Sequence, residues 1–317
     1  MITRGITNIA GRAVDVARLA ANDMEVALLS YGALTQSWRI GERNIVLGYD
    51  DAAAYEADTC FHGAIAGRVA NRIRNARFML EGREVILPAN YGPHSLHGGP
   101  DGLNKKHWDL EADSSANSVR LACISPDGES GFPGEAAFEV IVTLNDSKLV
   151  YDMRATVDRP TPISLVQHNY YNLTGGEIWD HVLSVPAEDY LVSEGEYLIQ
   201  TGRRAPAAGT RYDFRQARSF ADADPDREGI DACLVLQSGA PGAVLSAPGG
   251  PVLSFHTGEV GMHVYNANML TAPFAPFTAI CLEPENFPDA VNHDDFPGII
   301  VTPDAPYRQV LTIEVSR

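Results

Sequence analysis

FEVIVTLNDSKLVYDMRATV, residues 138–157, holds two runs in which apolar and polar side chains alternate: FEVIVTLN (138–145) and KLVYDMRATV (148–157). A period of two places every second side chain on one face, as in a strand with one face buried. Working outward, short β-rich runs recur along the chain. They are MEVALLSYG (24–32), RNIVLGY (43–49), ARFMLEG (76–82), REVILPAN (83–90), SVRLACI (118–124), HVLSVPA (181–187), ACLVLQSG (232–239), GMHVYNA (261–267), FTAICLE (277–283) and YRQVLTIEV (307–315). The 28 glycines and 20 prolines gather between them, in ANYGPHSLHGGPDG, SPDGESGFPGE, QSGAPGAV and SAPGGPV, where they signal hairpins and loops. Long helical patterns are scarce. RQARSFADADPDREG (215–229) reads as a surface loop or a short helix. Many short strands punctuated by turns predict an all-β fold, a sandwich or barrel, in one domain spanning 1–317 without linker or repeat.

The composition agrees with a soluble globular protein: of 317 residues, 45% are hydrophobic and 21% charged. No stretch reaches the roughly 18 uninterrupted apolar residues of a membrane helix. The N-terminus MITRGITNIAGRAVDVARLA scatters arginines through its apolar residues and does not read as a signal peptide, so a cytoplasmic location is expected. A formal charge of −17 repels phosphate backbones and anionic lipid, which argues against nucleic acid and membrane as partners. Cys60, Cys123, Cys233 and Cys281 form no CxxC pair, and three of them sit in apolar runs. Buried free thiols are expected.

Two histidines stand in surroundings dense in glycine and polar side chains: His97 in HSLHGG and His168 in VQHNYYNLTGG. Such settings suit a strand end that opens onto a cleft, and histidine is the side chain most easily set for proton transfer near neutrality. His62, His107, His181, His256 and His293 lack such settings. Glu283 ends an apolar run in FTAICLEPENFPDAVNH, where partial burial would raise its pKa toward that of a useful base. Glu285 fits a solvated loop acid better, and Asp289 after Pro288 fits a turn. Metal binding is not expected: HxH and HExxH are missing, and His94 and His97 have no third ligand near them in sequence. GGPDG is neither GxGxxG nor GxxxxGK, so no phosphate loop is expected. Arg68, Arg72, Arg74 and Arg77 fall at mixed spacing. One could bond a ligand while several lie exposed.

Seven segments, in this order, resemble the aldose 1-epimerase (galactose mutarotase) family nearly from end to end. They are GRVANRI (67–73), PHSLHGGPDGLNKKHW (93–108), SPDGESGFPGE (125–135), HNYYNLTGG (168–176), IQTGRRAPAAGTRYDFR (199–215), GIDACLVL (229–236) and LEPENFPDAVN (282–292). The resemblance implies a large antiparallel β-sandwich, the galactose mutarotase-like supersandwich, with a sugar cleft on one face and few short helices. It implies a cofactor-independent isomerase that interconverts the α and β anomers of a free aldose, with Glu283 as base and His168 as acid. His97 would hydrogen-bond the sugar. Asn71 and Arg72 would contact ring hydroxyls, Asp231 would hold hydroxyls on the far side, and Tyr170 would line the cleft. The expected partner is a small-molecule sugar, with the protein a monomer or homodimer.

The chain also departs from the family pattern. Ala232 stands where a histidine is usual, His263 where a glutamine is frequent, Asn266-Ala267-Asn268 for Thr-Gly-Asn, Gln200 for proline and Glu285 for glutamine. His263 joins the sugar-binding candidates, and a pentose, deoxysugar or uronic acid becomes a possible substrate. Three other readings compete. A glycosidase would use Asp231 and Glu283 as a carboxylate pair. A catalytically silent sugar-binding protein would keep the cleft without turnover. A hexose-6-phosphate epimerase relative would need a cationic cluster at the cleft.

Overall fold

The 138–157 stretch forms the hairpin that its alternation predicts. In the computed structural model, which describes residues 1–237 and 241–317, Ala136–Asn145 pairs antiparallel with Lys148–Val157. Asp146 takes a left-handed conformation at the turn (φ 37°). Phe138, Val140 and Val142 sit opposite Ala155, Met153 and Tyr151, and all six are buried. Burial of such side chains is worth about 1.5–3 kcal/mol each, so a one-residue slip of register would be costly.

This hairpin belongs to a nine-stranded antiparallel sheet. Its spatial order is Asp109–Asp113, Ser118–Ser125, Ala136–Asn145, Lys148–Val157, Tyr307–Ser316, Val252–Thr257, Ala243–Ser246, Val182–Ser184, Arg218–Ser219. A six-stranded sheet runs Tyr170–Tyr171, Ile280–Glu285, Gly261–Tyr265, Asp231–Val235, Asp189–Glu194, Ile199–Pro206. A five-stranded N-terminal sheet contributes Met24, Val26, Leu28 and Trp38 to the same core as both others. The arrangement is the expected antiparallel β-sandwich. No helix among the described residues is long and apolar enough to cross a membrane.

The structure departs from the sequence reading at several elements. RNIVLGY is strand only at Arg43–Asn44, with an isolated bridge at Val46; the Asn44 side chain accepts the Trp38 N–H at 3.0 Å. Ile2–Ile9 is a strand although only Ile9 of its eight residues is buried and no alternation shows. The run 215–229 holds a one-turn helix, Phe220–Ala223, capped by Ser219. The run 232–239 is strand to Val235; residues 238 and 239 of it, and 238–240 of QSGAPGAV, lie outside the described residues. All four cysteines are free, but only Cys233 and Cys281 are buried as expected; Cys60 and Cys123 are part-buried.

Arg68 is not an exposed member of a basic stretch. It is buried, and its guanidinium donates to Ser125 Oγ, the carbonyls of Ser125 and Pro126, and those of Pro133 and Gly134, at 2.8–3.1 Å. All five donors of the fork are thereby used, and they tie the 125–134 loop to the segment that carries Asn71 and Arg72. Arg68→Met orphans four carbonyls at about 1–3 kcal/mol each before relaxation. A urea titration should therefore show about 3–5 kcal/mol of lost stability; a loss below 1 kcal/mol would show that the staple carries little.

Candidate active site

The cleft lies on one face of the six-stranded sheet, and period two decides what it shows. Along Ile280–Glu285, Ile280 and Leu282 enter the main core while Cys281, Glu283 and Glu285 face the other way. On Gly261–Tyr265, Met262 and Val264 enter the core, whereas His263 and Tyr265 line the cleft. His263 sits directly opposite Glu283, and Tyr265 opposite Cys281 and Asp231. Tyr170 lies opposite Cys281 on the next strand. A sheet face thus gathers Tyr170, Glu283, His263 and Asp231 into one wall.

The facing wall comes from loops. Asn71 and His97 both have left-handed backbones (φ 60° and 49°) and lock each other: His97 N–H donates to the Asn71 carbonyl at 2.9 Å, and Asn71 N–H donates to His97 Nδ1 at 3.1 Å. Gly98 follows at φ +88°, and a Cβ there would come within 1.9 Å of the Gly67 carbonyl oxygen, which explains the glycine of HSLHGG. His168 is fixed through its backbone, which exchanges hydrogen bonds of 2.9 Å with Gly63 and Ala64.

His168 Nε2 and Glu283 Oε1 are 3.7 Å apart, and both residues are buried. Burial pushes Glu283 up to about 8, opposed by the charge of His263. Burial pushes His168 down to about 3. At neutral pH the pair therefore holds one proton, resting on Glu283. Burial, reinforced by the neighbouring His168 and Arg72, keeps His97 neutral.

The tautomer of His97 bears on metal binding. His97, His168 and Glu283 have ligand atoms within 4.8 Å of one another. His97 Nδ1 already accepts the Asn71 N–H, so the ring proton is on Nε2. His97 is therefore a hydrogen-bond donor toward the cleft, not a lone-pair ligand.

Deeper in the cleft is a charged network. Asp231 accepts from Arg72 Nη2 at 2.9 Å and lies 2.6 Å from His263 Nε2. Burial works to raise the Asp231 pKa, but Arg72 and His263 outweigh it and hold the carboxyl well below its usual range. Burial works to lower His263, and Asp231 outweighs that and holds it raised. Asn71 Oδ1 accepts from Arg72 while its Nδ2 donates to Glu285 Oε1 at 3.1 Å. Glu285 is not a solvated loop acid: it is fully buried in a strand, 3.4 Å from His263 Nδ1. The apolar run FTAICLE stopped one strand turn short of it, and the Pro284 that interrupts the pattern hid the continuation.

All eight candidate site residues, Glu283, His168, His97, Asn71, Arg72, Asp231, Tyr170 and His263, line this one cleft. Tyr170 presents its ring there, since its hydroxyl donates to the Cys60 carbonyl at 2.9 Å. Arg74 is part-exposed and Arg77 exposed, as anticipated for some of that group. Asp289 is a turn residue, left-handed at φ 61°, yet buried and bonded to the Arg74 N–H. Sequence reasoning missed Phe61, Tyr91 and Tyr265. Only Tyr265 had a signal, two residues from His263 on the same strand face. His62 was also passed over; it is buried, 2.9 Å from Asp58, with its ring against Tyr170.

The sequence profile of the aldose 1-epimerase family matches residues 15–314. The galactose mutarotase of Rattus norvegicus is 33% identical, with 96% of this chain and 95% of that protein covered. The aldose 1-epimerase of Escherichia coli K12 is also 33% identical, over 86% of each chain. The crystal structure of an aldose epimerase homologue from C. elegans superposes with a TM-score of 0.91 at 28% identity, covering 96% of this chain and 99% of that one. A galactose 1-epimerase from Lactobacillus acidophilus shares the fold, with a TM-score of 0.91 at 24% identity and 98% of that chain covered. With that match across most of its length and the cleft just described, the chain belongs to the aldose 1-epimerase family, a family of isomerases.

Proposed function

We propose that the protein interconverts the anomers of a neutral free aldose by ring opening and closure, with Glu283 and His168 as the proton-transfer pair. The observation that carries this is the buried 3.7 Å approach of His168 Nε2 to Glu283 Oε1 in a cleft rimmed by hydroxyl-binding groups. Turnover runs from the minor tautomer of the one-proton pair, in which the proton has passed from Glu283 to His168: ionised Glu283 takes the proton of the C1 hydroxyl while cationic His168 gives its proton to the ring oxygen, and the C1–O5 bond breaks. After rotation about C1–C2 the roles reverse, and His168 takes the proton back as the ring closes. Net proton count is unchanged and no cofactor is required. The His97 Nε2–H is suited to donate to the sugar oxygen that gains charge. Asn71, Arg72, Asp231 and His263 would hold the remaining hydroxyls, with the Tyr170 ring as a wall. The reading treats 1–317 as one domain, supported by a core that draws on residues from Ala17 to Val315. Its free cysteines suit a cytoplasmic setting.

A neutral substrate is favoured because Arg72, the arginine among the described cleft residues, is engaged by Asp231. The same engagement disfavours a hexose-6-phosphate, which needs uncommitted cations. The glycosidase alternative is disfavoured because both oxygens of Asp231 are engaged by Arg72 and His263 and because it leaves His168 and His97, which line the same cleft, without a role. Relatives named for galactose place galactose first on a test panel that also includes glucose, pentoses, deoxysugars and uronic acids.

Polarimetry or NMR of freshly dissolved α-anomers tests the proposal. At least one neutral aldose should equilibrate faster with protein than without; binding of sugars without any acceleration would favour a silent sugar-binding protein instead. The pH profile has a defined shape. The pair keeps its single proton from above about 3 to about 8, so kcat/KM should be flat across neutrality and fall tenfold per pH unit above about 8. A rate that rises through pH 8 would contradict a pair that works with one proton.

A further inference from the structure

To give a proton to the ring oxygen, the buried His168 imidazole must first become cationic. His168 is 5% exposed, and its edges have few partners that could stabilise a positive charge. Nε2 meets Glu283 at 3.7 Å, and Nδ1 lies 3.7 Å from the Cys281 thiol. His97 approaches edge-on, with ring centroids 5.3 Å apart and planes at 72°. Two aromatic rings present themselves to the imidazole instead, Phe61 stacked and Tyr170 tilted. Tyr170 is at 5.2 Å and 32°, and Phe61 is at 5.9 Å and 26°. Both distances fall within the roughly 6 Å over which a cation is attracted to a ring face.

Both rings are held in place by their surroundings. The Tyr170 hydroxyl is tied to the Cys60 carbonyl, and the ring's stack continues through His62 at 4.5 Å. Phe61 has a left-handed backbone at φ 60°, a conformation that is strained for a bulky residue. Its loop is pinned there. Asp58 accepts the N–H groups of Cys60 and His62 at 3.1 and 2.9 Å, and Lys105 donates to the Asp58 carbonyl at 2.8 Å. The Phe61 ring also reaches His97 at 4.5 Å. Strain of this kind persists where neighbours over-determine it, and it clusters at functional sites.

We propose that Phe61, together with Tyr170, is a positioning residue for proton transfer: the two ring faces hold the His168 imidazole in orientation and stabilise its cationic form during turnover. The proposal rests on the reading of His168 as the group that protonates the ring oxygen. The charged or titratable groups around His168 are Glu283, His97 and Cys281, with the Asp58–His62 pair beyond Tyr170 and His263 across the sheet from Glu283. Of these, Glu283 and Asp58 can carry the compensating negative charge, and neither covers the imidazole faces.

Replacing Phe61 with leucine keeps an apolar wall and removes the π face. The expected result for Phe61→Leu is a fall in kcat of about tenfold, within the roughly 3- to 30-fold that one cation–π contact supplies. KM should change little, and the imidazole of His168, followed by NMR titration, should bind its proton more weakly. A second measurement does not depend on the leucine variant folding. Incorporating mono-, di- and trifluorophenylalanine at position 61 drains the ring face with almost no change of shape, and log kcat should fall stepwise with fluorine count. A kcat that is flat across the fluorinated series, or a loss that lies wholly in KM, would overturn the proposal. Failure of the underlying reading looks different. His168→Asn would then remain active, whereas failure of the Phe61 proposal alone leaves His168→Asn slow and the fluorinated series flat.

Discussion

Glu283→Gln is expected to slow anomer exchange by about 10²- to 10⁴-fold, the range that one positioned acid–base group supplies, while the protein stays folded. The glutamine is nearly isosteric and enters a position where the carboxyl already rests protonated, so no buried charge is created or orphaned. Burial holds the group at about 8, which means that the native cleft tolerates the neutral form at pH 7. The substitution therefore isolates proton transfer from stability. His168→Asn should cost a similar factor, and the double variant little more than either single one, because the two groups act as a unit. Polarimetric rates alongside urea midpoints give both readouts. Near-native rates in either single variant would remove that residue from the reaction; multiplicative losses in the double variant would mean that they act separately.

Asp231→Ala should do the opposite and damage the fold as well as the chemistry. The carboxylate sits between Arg72 at 2.9 Å and His263 at 2.6 Å, with its side chain about 10% exposed. Removing it leaves the Arg72 guanidinium buried without its carboxylate and takes away the charge that holds His263 protonated. Breaking a buried ion pair by deleting one partner costs about 3–5 kcal/mol, and the cavity adds to this. The expected outcome is a urea midpoint shifted by that amount, with any residual activity showing a raised KM. Asp231→Asn, which fills the space and keeps one acceptor oxygen, should recover part of the stability but not the sugar affinity. Native stability in Asp231→Ala would show that Arg72 finds other partners and that the network is not built around Asp231.

The two variants also mark what could be read in the sequence. Glu283 was legible because a run of apolar residues ended on it, which implied burial. Glu285 was not, because Pro284 broke the pattern and concealed two more residues of the same strand. His97 and His168 were visible through their glycine-rich settings, and the pairing of His168 with Glu283 followed from motif order, not from local chemistry. Asn71 and Arg72 came only through the family resemblance, since the mixed spacing of four arginines gave no hint that Arg68 and Arg72 point inward. Phe61 had no signal at all. Its role depends on a left-handed backbone in a loop pinned by Asp58 and Lys105, contacts between residues 47 positions apart. The fold was legible where one face is buried, as at 138–157, and illegible where a strand is exposed on both sides, as at Ile2–Ile9.

The strand Tyr307–Ser316 is the fifth of the nine in its sheet, paired on one side with Lys148–Val157 and on the other with Val252–Thr257. During synthesis the ribosome delivers those two neighbours long before the strand that joins them. Until residues 307–316 emerge, the sheet exists as two parts with raw facing edges, the kind of surface that recruits other chains. Closure then requires contacts between distant parts of the chain, which slows folding. Nascent chains stalled before this strand should accordingly be the aggregation-prone species and the natural clients of holding chaperones.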